Sequence, residues 1–188
     1  PSAFALKSRK IHVDIDPSEI GKNIQVDVPI VGDLKRVLRK LNQQVAHTTH
    51  LEWIQHIDEL KREHPSMNIR DTDKLLPQYI IRQLSEATRG KAIIVTGVGQ
   101  HQMWAAQYLG FEDPNRWMTS GGLGTMGYGF PASIGVQMAH PDALVINVAG
   151  EASWLMNMQE MGTAMQYGLP VKQFILNNER LGMGRQWQ

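Results

Sequence analysis

The chain has 188 residues, with 19 Lys+Arg against 18 Asp+Glu and a formal net charge of +1. At 42% hydrophobic and 20% charged, it is long enough to bury a core and lies outside the compositional range of disordered chains. Balanced charge without a Lys/Arg run argues against a nucleic-acid partner, and no stretch approaches the roughly 20 apolar residues of a membrane span. Cys is absent, which excludes disulfides, thiolate metal sites and Cys nucleophiles; a reducing compartment is compatible, and the cytoplasm is the expected location. The sequence opens at Pro1 without Met and stops at Arg185-Gln186-Trp187-Gln188, so it is expected to be a piece of a longer protein.

Residues 10–16 alternate apolar and polar side chains before Pro17, as a short strand entering a turn does. Asp33 is a candidate N-cap for a helix whose Leu34, Val37, Leu38, Leu41 and Val45 share one face. Residues 51–63 read as a second amphipathic helix, with Leu51, Ile54, Ile57 and Leu60 directed inward. Pro65 and the polar stretch 66–74 read as linker, placing a domain boundary within 46–74. Beyond it the signals alternate: a helix over 76–87 with Pro77 in its first turn, an apolar strand over 91–96, and a helix over 102–109. A glycine-dense loop over 121–129 leads into a helix to about His140, then come a strand over 144–149, a helix over 154–167 and a strand over 171–176. Residues 117–120 read as a poor strand, and Met156, Met158, Met161 and Met165 as core filler. This alternation predicts an α/β fold, a doubly wound parallel sheet covered on both faces, with ligands beyond the carboxyl ends of the strands.

That rule selects four loops: 97–102, 121–129, 150–153 and 177–184. The second holds five glycines in nine residues, and Gly122, Gly124 and Gly127 match G-x-G-x-x-G. It can turn N–H groups toward an anion, or simply permit a close helix–sheet approach. Glu151 and Ser153 can cap a helix; alternatively, Glu151 can ligate a hard cation while Ser153 faces a phosphate. Asn177-Asn178 can form Asx-turns or lend oxygen to the same cation. His101, between Gln100 and Gln102, reads either as a surface histidine or as a phosphate contact.

Gly150-Glu151-Ala152, then 24 residues, then Asn177-Asn178 resembles the signature of thiamin-diphosphate enzymes, in which G-D-G or G-D-A precedes an Asn pair. The segments 96–106 (Thr-Gly-Val-Gly-Gln-His-Gln-Met-Trp-Ala-Ala), 119–132, 177–188, 12–23 and Gly32-Asp33 resemble the large subunits of acetohydroxyacid (acetolactate) synthases. The resemblance implies that residues 1–46 end a central flavin-binding domain, that 47–74 link, and that 75–188 begin a pyrophosphate-binding domain. It further implies that Gln100, His101, Gly124, Thr125, Met126, Ala152, Ser153 and Asn178 bind thiamin diphosphate. Met126 would wedge beneath the cofactor, and the Gly124 carbonyl would face its aminopyrimidine. Glu151, Asn178 and the Arg180 main-chain oxygen would hold Mg2+, Asp14 and Asp33 would contact flavin adenine dinucleotide (FAD), and Trp187 would stand at the substrate entrance. Two positions depart from the pattern: Glu151 replaces an Asp, and Gly184 stands where a branched apolar residue is usual.

The activity so implied joins pyruvate, after loss of carbon dioxide, to a second 2-oxo acid, a step of branched-chain amino-acid biosynthesis. The expected assembly is a homodimer or tetramer, with a regulatory small subunit as a further partner, and with neither nucleic acid nor membrane involved. No catalytic residue falls within this sequence, because the glutamate that activates the pyrimidine lies in a domain outside it. The chain alone is therefore expected to be inactive. Three alternatives remain open at this point: a pyruvate oxidase or glyoxylate-condensing relative, a nicotinamide dehydrogenase using the glycine loop, and a non-catalytic remnant.

Overall fold

The computed structural model describes residues 3–188 and divides into two units, Pro1–His64 and Pro65–Gln188. In the first unit, β1 (Ile11–Asp14) pairs in parallel with β2 (Val28–Val31), with Asp14 opposite Val31. The sequence signals assigned no element to Val28–Val31, where Pro29 removes a ladder donor; a two-stranded sheet tolerates it because each strand is an edge. Helix α1 (Leu34–Asn42) starts where expected, with the Asp33 carboxylate accepting the Arg36 N–H at 3.0 Å. Helix α2 (Leu51–Glu63) follows. Neither helix has a buried residue, so the expectation that Leu51, Ile54 and Leu60 point inward is corrected. These three, with Leu34, Leu38 and Leu41, are exposed. Two strands are too few to cover two apolar helix faces.

The second unit is built on a four-stranded parallel sheet in the order β4-β3-β5-β6. Its strands are β3 (Ile93–Thr96), β4 (Trp117–Thr119), β5 (Val145–Gly150) and β6 (Lys172–Leu176). Every residue of β3 is buried, as are the first five of β5, and their side chains alternate between two cores. Ile94, Ile146 and Val148 pack with Ile81 of α3 (Pro77–Thr88) and Tyr108 of α4 (Gln100–Tyr108). Ile93, Val95 and Val145 pack on the other face with Val136 of α5 (Gly129–Ala139). This is the doubly wound parallel arrangement that the continuous apolar runs predict. No helix among the described residues is long and apolar enough to cross a membrane.

Two readings of this unit are corrected. Residues 117–119 do form a strand, at the sheet edge, where a single neighbour suffices and Trp117 stacks on Phe111 with ring centroids 5.9 Å apart. The helix expected over 154–167 is three pieces: α6 (Glu151–Leu155), a 3₁₀ turn (Met158–Glu160) and α7 (Met161–Gln166). The break falls at Asn157, whose side-chain amide donates to the Gly127 carbonyl at 2.8 Å and whose backbone leaves the helical region at φ −134°. On the resulting surface Met156, Met158, Met161 and Met165 are exposed rather than core filler. α8 (Gly182–Trp187) closes the chain.

Gly129 opens α5 directly beneath the tip of β3. A Cβ there would overlap the Asn147 Oδ1 and lie 2.6 Å from the Gly97 nitrogen and 2.8 Å from the Thr96 carbonyl carbon. Because backbone cannot yield as a side chain can, Gly129→Ala is expected to lower stability by about 2 kcal/mol or more. Gly135→Ala, with nothing within 4 Å, is expected to gain about 0.5–1 kcal/mol. Urea unfolding of both variants checks the pair.

Candidate functional site

β3 is flanked by β4 on one side and β5 on the other, so the connections leaving β3 and β5 part at their carboxyl ends. Open α/β sheets form a crevice at such a point. A pocket of about 460 Å³ lies there, drawing residues from all four loops selected by sequence. The loop after β3 supplies Gln100 and His101, the glycine loop Gly124 and Met126, the start of α6 Glu151 to Ser153, and the segment after β6 Asn178 to Gln188. Thr125 does not line it: its side chain is exposed and its N–H donates to the Ser120 hydroxyl at 3.1 Å. Val98, Gly99, Leu176, Leu181 and Met183 also line the wall; the sequence gives them no site role, because apolar or glycine residues beside a strand end carry no chemical signature.

His101 is 5% exposed, which settles against a surface histidine. It wedges under the strand tips: a Cβ at Gly97 would lie 2.9 Å from its Nε2, and one at Gly150 2.9 Å from its Nδ1. Burial pushes its pKa down to about 4, against the opposing pull of the Gly97 main chain and the Glu151 carboxylate. The imidazole is therefore neutral at physiological pH, and its buried Nε2 has no hydrogen-bond partner. A neutral imidazole can keep its proton on that nitrogen and donate it to an anion entering the pocket.

Ser153 does not cap α6; its hydroxyl oxygen accepts the Gly127 N–H at 3.0 Å. With the Gly127 carbonyl taken by Asn157, both main-chain groups of Gly127 are engaged within the protein. Its left-handed φ of +83° and the Asn157 amide, which a Cβ would approach to 2.8 Å, make it a close-approach glycine. The G-x-G-x-x-G match is structural at its last position, which weakens the dehydrogenase alternative.

Glu151 and Asn178 meet. The carboxylate accepts the Arg180 N–H at 2.9 Å and the Asn178 N–H at 3.3 Å, and Asn178 Oδ1 accepts the Arg180 N–H at 3.1 Å. Asn177 makes an Asx-turn, accepting the Glu179 N–H at 2.9 Å. The Asn178 amide donates to Gln100 Oε1 at 3.2 Å, and the Gln100 amide donates to Gln186 Oε1 at 3.1 Å. Among the described residues no three His, Cys, Asp or Glu cluster as a metal site. A cation here would instead have one carboxylate, the Asn178 amide oxygen and the Arg180 carbonyl, which already accepts the Gly182 N–H at 2.9 Å. These are hard oxygen donors, each with a lone pair left, and fit Mg2+ completed by water and phosphate. The pocket also fits a diphosphate: in the first turn of α4 the Gln102 and Met103 N–H groups donate to the Gly99 carbonyl, which leaves those of Gln100 and His101 for an anion at this helix start.

Asp14 and Asp33 belong to the first unit. Asp14 ends β1, and its carboxylate accepts the Asp16 N–H at 2.9 Å; Asp33 caps α1. They line separate hollows and do not by themselves form a flavin site. Trp187 lines the main pocket and is 73% exposed, as an entrance residue would be.

The histidine yields a test. With a folded pKa of about 4 and an unfolded value of about 6.5, the unfolded chain takes the proton first as pH falls. Stability from this group is full above about pH 6.5 and is lost toward pH 4, on the order of 3 kcal/mol. Urea unfolding from pH 7.5 to 4 is expected to show this slope and His101→Gln to flatten it. An imidazole titrating near 6.5 in the folded protein contradicts the burial argument.

Comparison with known proteins agrees with this geometry. A family model for the C-terminal TPP-binding domain of thiamine pyrophosphate (thiamin diphosphate) enzymes matches residues 97–188, and one for their central domain matches residues 1–41. The chain is 45% identical over 192 residues to acetolactate synthase 1, chloroplastic, of Zea mays, and 44% identical over 192 residues to acetolactate synthase, chloroplastic, of Arabidopsis thaliana. It is 46% identical over 192 residues to the acetolactate synthase large subunit of Cyanidium caldarium. These alignments cover 98–99% of this chain but 29–32% of the relatives, so the chain spans about a third of their length. It belongs to the thiamine pyrophosphate enzymes, in the stretch that is similar to acetolactate synthase.

Proposed function

We propose that this chain is the pyrophosphate-binding part of a thiamin-diphosphate and Mg2+-dependent acetolactate synthase, which condenses pyruvate with a second 2-oxo acid. The observation that carries the reading is the meeting of Glu151, Asn178 and Arg180 at the tips of β5 and β6, beside the buried, unpartnered nitrogen of His101. When bound, the cofactor supplies the carbon nucleophile and the electron sink that decarboxylation of a 2-oxo acid requires.

The protein's own residues would bind and orient. Glu151, Asn178 and the Arg180 carbonyl would hold Mg2+, and His101 and the α4 N-terminus would hold the diphosphate. Gln100, Ala152 and Ser153 stand beside them, Gly124 and Met126 would shape the wall under the cofactor's rings, and Trp187 would screen the entrance from water. In this reading residues 1–46 end a central domain and 75–188 begin the pyrophosphate-binding domain. FAD binding rests on the resemblance alone, since Asp14 and Asp33 line separate hollows. The homodimer or tetramer and the regulatory subunit rest on it too. A cytoplasmic setting stands beside relatives whose names place them in chloroplasts.

Trp187 gives the test a probe. Thiamin diphosphate is expected to quench tryptophan fluorescence of the full chain in Mg2+ and not in EDTA, and Asn178→Ala is expected to weaken the Mg2+-dependent binding at least tenfold. Quenching that ignores Mg2+ overturns the site. NADH binding without Mg2+ would restore the dehydrogenase. The chain alone is expected to bind without forming acetolactate, and measurable turnover contradicts that.

A further inference from the structure

We propose that Glu151 is a positioning residue: from the tip of β5 its carboxylate latches the turn over 177–182 against the tip of β6, setting the far wall of the pocket before any cofactor or cation binds. Its functional meaning rests on the pocket reading above; its substance rests on main-chain geometry. Glu151 is the first residue of α6, whose N-cap is Gly150, and an acidic side chain at that position is ordinarily spent on its own helix. Both carboxylate oxygens are spent across the sheet instead, Oε1 on the Arg180 N–H and Oε2 on the Asn178 N–H. Such bonds to an ionised acceptor are stronger than neutral ones, and the carboxylate is partly shielded from water.

The turn needs an external hold. Glu179 sits in the left-handed region at φ +57°, which costs free energy for a residue with a Cβ. Its local bonds, Asn177 to Glu179 and Asn178 to Arg180, fasten the turn to itself but not to the sheet. Glu151 supplies that link, and Asn178 passes it on. With its N–H fixed by Glu151, its amide meets Gln100, whose own amide reaches Gln186 beside Trp187. Gly182 is pressed so close to Gln100 that a Cβ would overlap the Gln100 amide oxygen, so the segment leading into α8 cannot stay put if the turn swings away.

The extra methylene of Glu then has a purpose. With Glu151 at 2.9 and 3.3 Å from the two N–H groups, a carboxylate one carbon shorter on the same backbone is expected to lose at least one of them. The latch therefore predicts a ranking opposite to that of a site in which residue 151 serves only a cation, where Asp is at least as good a ligand as Glu.

Amide hydrogen exchange on the full chain, in EDTA and without thiamin diphosphate, reads the latch directly. Exchange of the Arg180 and Asn178 amides is expected to rise tenfold or more in Glu151→Ala, nearly as much in Glu151→Asp, and less in Glu151→Gln, which keeps one acceptor oxygen. Amides of Val95 and Val148 in the core are expected to stay unchanged, and trypsin cleavage after Arg180 and Arg185 to accelerate in the same order. Unchanged Arg180 exchange in Glu151→Ala with an intact core overturns the proposal, as does Glu151→Asp matching the native chain. If Glu151→Ala loosens Val95 and Val148 as well, the equal-sized Glu151→Gln decides by the same readout. A chain that keeps the latch but binds no thiamin diphosphate refutes the functional reading alone. Binding that persists with the Arg180 amide equally exposed in native and variant chains refutes the latch alone.

Discussion

The parallel pairing of β5 with β6 is the constraint on which the rest depends. Register places Gly150 opposite Leu176, so the two chain exits leave the sheet side by side and in the same direction. Two polar segments 27 residues apart in sequence are thereby brought within hydrogen-bond distance, Glu151 accepting the N–H of Asn178. An antiparallel pair would send the exits to opposite ends of the sheet, and the same residues would share nothing. Burial holds the register: Val148 and Val145 are fully buried on opposite faces of β5, and a slip by one residue would exchange the two cores.

The second constraint is the close approach beneath β3. Gly129, Gly97 and Gly150 leave no room for a Cβ: at Gly97 the space is taken by the His101 imidazole and the Ser153 hydroxyl, at Gly150 by the same imidazole, and at Gly129 by the Asn147 amide and the β3 backbone. Packing thus sets the charge state of the site. A histidine excluded from water stays neutral, and a serine turned toward the Gly127 N–H fixes the glycine loop as part of the wall.

Legibility followed the length scale of the interactions. β3 and β5 could be read because burial on both faces demands near-continuous apolar runs, here Ile93–Thr96 and, broken only by Asn147, Val145–Gly150. Trp117–Thr119 could not, since a three-residue edge strand needs only one neighbour and leaves no period to detect. The single helix expected over 154–167 is broken by one tertiary bond, from Asn157 to Gly127, 30 residues away, which no local pattern marks. The exposed methionines and the uncovered face of α2 were misread because an apolar stripe states that a face is to be covered, not by what. At the site, the glycine loop and the Asn pair announced themselves through residue type. The links from Gln100 to Asn178 and Gln186 span 78 and 86 positions, and the Glu151 bonds use main-chain donors that every residue except proline possesses; no sequence pattern marks either.

The account stands or falls on whether the tips of β5 and β6 share one ion. Crystals of the chain grown with thiamin diphosphate and Mn2+ in place of Mg2+ test this through the anomalous signal of the metal. The account predicts a single peak in contact with the Glu151 carboxylate, the Asn178 amide oxygen and the Arg180 carbonyl. A peak elsewhere, or Glu151 and Asn178 turned apart around an empty space, would contradict it.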